Sequence, residues 1–83
     1  MRIDDFLSTV GIIKRRTVAK ELARNRLVHI DNRPVKPAYN IKVNDIISIR
    51  GTRPITVEVL DIPTGSVSKE NRGDYFRELP RKD

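Results

Sequence analysis

The sequence predicts an α+β domain in which two short N-terminal helices pack on a small, curled antiparallel sheet. Three observations carry that prediction. Ile3, Phe6, Leu7 and Val10 recur at helical spacing, and the stretch Ile13 to Arg26, "IKRRTVAKELARNR", is amphipathic at about 100° per residue. Beyond it, short β-branched runs alternate with turn pairs built on Asn and Asp.

Helix one rests on the i, i+3, i+4, i+7 stripe of Ile3, Phe6, Leu7 and Val10, enough apolar surface for two turns. Asp4 and Asp5 fall in its first turn, where the helix dipole favours acids. They read as dipole and solubility residues. A catalytic or metal-binding couple would need carboxylates that converge, whereas adjacent helix positions point about 100° apart, and no third ligand stands nearby. Gly11 should end the helix as a C-terminal cap.

Helix two is expected over roughly residues 15 to 25. Arg16, Lys20 and Arg24 stand at i, i+4 and i+8, a sector about 80° wide, while Val18, Ala19, Leu22 and Ala23 gather on the other side. Solvated helix faces usually alternate sign to gain i,i+4 pairs; three stacked cations repel by a few tenths of a kcal/mol per pair. The arrangement therefore favours an external polyanion over plain solubility.

The remaining elements read as strands. "LVHI" and "PVKP" flank "DNR", where Asp31-Asn32 tolerates positive φ, so a short hairpin is predicted, with Pro34 at a sheet edge because it cannot donate to a ladder. "YNIKVNDIISIR" turns at Asn44-Asp45, and in "RPITVEVLDI" Ile55, Val57 and Val59 alternate with Thr56 and Glu58. Periodicity fades after Pro63. Residues 1–62 are accordingly expected to form the domain and 63–83 a C-terminal tail, partly docked or flexible, in which "DYFREL" forms one helical turn or docks through Tyr75 and Phe76.

Composition narrows the function. At 83 residues the chain makes one small domain, with no room for a large enclosed active site. It contains no cysteine, hence no disulfide, thiolate metal site or cysteine nucleophile. No signal-like or membrane-spanning run occurs, so the expectation is a cytoplasmic protein without a membrane partner. His29 is the lone histidine and reads as structural or surface. No nucleophile has a partner and no Gly-rich phosphate loop is present, so neither an enzyme nor a cofactor is expected. The net charge of +6 is uneven: residues 1 to 53 hold twelve Lys or Arg against five acids, whereas residues 54 to 83 are slightly acidic. Such asymmetry points to nucleic acid or an anionic membrane, the latter the weaker reading because no helix is long and the apolar face of residues 17 to 24 has two alanines and no aromatic residue.

The ordered set "RIDDFL" at 2 to 7, "KRRTVAKEL" at 14 to 22, "VHIDN" at 28 to 32 and "NDIISI" at 44 to 49 resembles the S4-type RNA-binding domain, the αL motif. The resemblance covers about residues 2 to 50. Two turn glycines of the family pattern are replaced, by Asn32 and Asn44, which still accept a left-handed conformation. Within the family, the length, the opening "MRIDDFL" and "GIIKRRTVAKELA" are most similar to the bacterial ribosome quality control members and, more distantly, to the fifteen-kilodalton heat-shock protein.

That resemblance implies a non-enzymatic protein, ribosome-associated, with large-subunit rRNA and peptidyl-tRNA as partners on the stalled, split large subunit. It also implies cooperation with the NEMF-family factor that adds C-terminal alanine tails. It further implies that Arg2 and Arg16, at the starts of the two helices, contact RNA; Lys14, Arg15, Lys20 and Arg24 extend the same face. Arg suits phosphate through its planar fork, and helix N-termini add amides that welcome anions. Thr17 either contributes its hydroxyl or caps helix two. The alternatives are a detached accessory domain of an rRNA- or tRNA-modifying enzyme and a generic nucleic-acid-binding module.

Overall fold

The computed structural model describes residues 1–80; Arg81, Lys82 and Asp83, the end of the expected tail, lie outside the described residues. Two helices, α1 (Ile3–Thr9) and α2 (Arg16–Arg24), precede four strands, β1 (Val28–Ile30), β2 (Arg33–Pro34), β3 (Ile46–Ile49) and β4 (Ile55–Val59). A 3-10 turn, Lys69–Asp74, then leads to β5 (Phe76–Glu78). The strands form one antiparallel sheet in the order β2-β1-β3-β4-β5.

The predicted stripe of α1 is the centre of the core: Ile3, Phe6 and Leu7 are fully buried and Val10 nearly so. They meet Val28 and Ile30 of β1, Ile47 and Ile49 of β3, and Val57 and Val59 of β4, all on one sheet face as period-two alternation requires. Gly11 follows the C-cap of α1 at φ +78°, as its capping role demands.

Helix α2 is shorter than expected. Arg15 is its extended N-cap, at φ −121° and ψ 131°, and forms no side-chain cap hydrogen bond; Thr17 sits inside the first turn and does not cap it. The inward face is also narrower than the sequence suggested, with Ala19 and Ala23 buried, Leu22 half-buried and Val18 exposed. Two alanines at i and i+4 let α2 approach its neighbours closely, which leaves Val18 outside the contact.

The hairpin is as predicted: Asp31 and Asn32 have φ of 49° and 69°, as a two-residue turn matching the strand twist needs, and Pro34 lies in the edge strand β2. Asn44 takes φ 78° and donates its amide to the Val59 carbonyl at 2.8 Å. The segment "DYFREL" docks, with Tyr75 and Phe76 packed against the core. Instead of a helical turn it supplies β5, whose Phe76 stands opposite Val59, with ladder-flanking bonds from Leu60 N to Tyr75 O and from Leu79 N to Thr56 O, both 2.8 Å. Three residues are too few for alternation to register in sequence, yet β4 would otherwise leave its outer edge unpaired.

Candidate nucleic-acid interface

The two helix starts predicted to carry function are brought together, and a buried carboxylate joins them. Asp4 has no exposed surface. Arg2, the N-cap of α1, grips it with a fork, Nε to Oδ1 at 3.1 Å and Nη2 to Oδ2 at 3.0 Å. Asp4 Oδ1 also accepts the Asp5 amide at 2.8 Å. From α2, Arg16 places Nε 3.0 Å from Asp5 Oδ1 and 3.7 Å from Asp4 Oδ2. The two guanidinium groups are thus held by carboxylates on their inner edges while their side chains stay 40% and 52% exposed. Paired cations held this way keep outward N–H donors available without having to be ordered when an anion arrives.

Asp4 and Asp5 are therefore more than dipole and solubility residues, the role that their place in the first turn suggested. The spacing Arg-x-Asp at the N-cap and second helical position was the available signal: it sets the arginine head above the carboxylate of its own first turn. Another sequence expectation also changes. The α1 N-terminus offers no amides to phosphate, because Ile3 N donates to Tyr39 O at 2.7 Å, Asp4 N to Pro37 O at 3.4 Å, and Asp5 N to the Asp4 side chain. The loop 35–40 caps the helix with carbonyls, and an isolated bridge between Arg2 and Asn40 ties the ends together. That loop is in turn held by Tyr39 Oη, which donates to Asp45 Oδ2 at 3.1 Å.

The rest of the basic face follows α2. Lys14, Arg15, Arg16 and Thr17 are exposed, Lys20 is half-buried and Arg24 exposed. Arg24 pairs with Glu21 at 3.3 Å, an exposed contact that water and salt weaken. Lys14, Arg15 and Lys20 form no ion pair among the described residues. The repulsion inferred for the stacked cations is thus relieved at both ends of the row, by Asp4 and Asp5 at Arg16 and by Glu21 at Arg24. The middle, Lys20, has no such relief.

His29 lies in the middle of β1, only 8% exposed, with Nδ1 buried and unpartnered among the described residues. Burial, reinforced by the nearby Arg50 charge and opposed by the Leu27 backbone, holds its pKa below the usual histidine value. It lies on the face of the sheet that carries Ser48, opposite the core face of Val28 and Ile30. No helix among the described residues is long and apolar enough to cross a membrane.

Known proteins resemble the chain in sequence and in fold. Residues 1–47 match the S4 domain family. The chain is 37% identical over 76 residues to the RQC P-site tRNA stabilizing factor of Streptococcus pneumoniae, covering 90% of this chain and 86% of that protein. It is 33% identical over 84 aligned positions to the RQC P-site tRNA stabilizing factor of Helicobacter pylori strain J99, covering the whole of this chain and 87% of that one. In fold, it superposes on Heat Shock Protein 15 of Vibrio cholerae with a TM-score of 0.86 at 21% identity, over 95% of this chain and 81% of that one.

Proposed function

From the premise that this chain belongs to the S4 domain family and, within it, to the RQC P-site tRNA stabilizing factors, we propose that it binds RNA through the helix face centred on Arg2 and Arg16. It acts in ribosome-associated quality control as a non-enzymatic binder of the tRNA held on the large subunit. Its rRNA contact, its peptidyl-tRNA ligand on the split subunit, its cytoplasmic location on ribosomes and its support of the NEMF-family alanine-tailing factor belong to the same reading.

The observation that carries it is the buried Asp4 shared by arginines from two helices, both still half open to solvent. A buried carboxylate costs several kcal/mol unless paired, so its presence is accounted for by the positions it imposes on Arg2 and Arg16. Lys14, Arg15, Thr17, Lys20 and Arg24 surround that pair as phosphate contacts. A-form RNA hides its base edges in a deep, narrow groove, and so a rigid basic ridge reads backbone shape more than sequence.

Sedimentation of lysate from cells carrying the tagged protein tests the reading. The protein should travel with free large subunits that carry peptidyl-tRNA. Recovery only at the top of the gradient at low salt would overturn it.

A further inference from the structure

At the far end of α2 the chain forms a groove of about 610 Å³, walled by Ala23, Arg24 and Arg26 on the helix side and by Pro34, Val35, Lys36 and Pro37 on the loop side. Its floor is apolar and its rim holds three cations and no carboxylate. Arg24 shares an exposed ion pair with Glu21, which is not part of the wall. We infer that this groove receives an unpaired nucleotide of the bound RNA, its base against Val35 and the two prolines and its phosphates against Arg26, Lys36 and Arg24.

Two further observations support a polyanionic occupant. The groove continues the basic row: Arg24 lies two turns, about 12 Å, along the same helix sector from Arg16, and the Pro37 carbonyl that accepts the Asp4 amide joins the opposite wall to the turn bearing Arg2. Then there is the backbone of Arg26. The helix ends with Leu27 N bonded to Leu22 O at 2.9 Å and Arg26 N to Ala23 O at 3.0 Å, which places Arg26 at the left-handed position, φ 61°, that favours glycine. A long cationic side chain is thus kept, at a conformational cost, where it lines the groove. A volume of this size suits one nucleotide; single strands are held by salt-sensitive cations beside a surface on which a base can lie, and here Val35, Pro34 and Pro37 stand in for the usual aromatic platform.

This inference rests on the RNA-binding reading above, and two RNA hairpins separate their failures. One ends blunt; the other carries a five-nucleotide 3′ overhang. The full-length wild type should bind the overhang hairpin about tenfold more tightly. Arg26→Gly with Lys36→Ala should remove that preference, flatten the salt slope by about 1.4 for two lost single-strand contacts, and leave blunt-hairpin affinity within about threefold. Arg26→Gly alone should melt at a higher temperature than the wild type while binding the overhang more weakly, a combination that a purely structural Arg26 would not give. Equal affinity of the wild type for both hairpins, or equal loss of both in the double variant, overturns the groove and leaves the helix face standing. So does a poly-glutamate peptide that shifts the Ala23 and Val35 amide resonances more than a five-nucleotide RNA. Binding of neither hairpin overturns both readings.

Discussion

On the proposed function, Asp4 is the single residue at which stability and RNA binding meet. Its carboxylate is wholly buried, accepts from Arg2 and from the Asp5 amide, and has the Arg16 guanidinium 3.7 Å away as an ion-pair partner. Asp4→Asn keeps the volume but removes the charge that both guanidinium groups use. Urea unfolding should show a loss of about 2 kcal/mol, and RNA affinity should fall even though the substitution adds positive charge. Tighter binding by this variant would mean that net charge, and not placement, governs the interface. Arg16→Ala is the converse: Asp4 keeps Arg2, so stability should drop by less than about 1 kcal/mol, while RNA affinity falls about tenfold. His29 gives a pH prediction. Its folded-state pKa is lowered by burial and by Arg50, so the unfolded chain takes up a proton before the folded one does. Stability is therefore full above the unfolded value of about 6.5 and declines as pH falls through the folded value. Thermal melts from pH 8 to pH 5 should show the decline, and His29→Gln should flatten it.

Element by element, the helices and strands were legible in the sequence where periodicity ran long enough to count. The stripe Ile3, Phe6, Leu7 and Val10, the Asp31-Asn32 turn and the edge position of Pro34 all stand as read. What escaped depends on contacts remote in sequence. Strand β5 is only three residues long and exists because β4 offers an edge. The α1 amides are capped by Pro37 and Tyr39 carbonyls more than thirty residues away. Arg72, from the 3-10 turn, lays its guanidinium over Gly11, where a Cβ would fall 2.6 Å from Nη1. Gly11→Ala, which also meets a positive φ, should cost about 1 kcal/mol or more in denaturant unfolding. Arg26→Gly should act in the opposite direction, stabilising the α2 terminus by about 1 kcal/mol.

Across the whole molecule, eight of the twelve cations of the basic first two thirds lie on, between or next to the helices and on the loop beside them, while the slightly acidic remainder supplies β4 and the far-edge strand β5. The basic row of α2 could be read from spacing alone. That Arg2 and Arg16 share one carboxylate could not, because it depends on how α1 and α2 pack together in the folded core. The groove beside Arg26 lay equally beyond sequence, since its walls come from a helix end and a proline-flanked loop that only the tertiary fold brings together. This positioned pair, on an otherwise ordinary small domain, is what we propose binds RNA on the ribosome. The most direct test is the affinity of purified wild type and Arg16→Ala for large subunits carrying P-site tRNA, at fixed moderate salt and with melting temperatures measured on the same samples. The variant should lose at least about tenfold in affinity with little change in melting temperature; equal binding by the two proteins would mean that the pair does not carry the RNA contact.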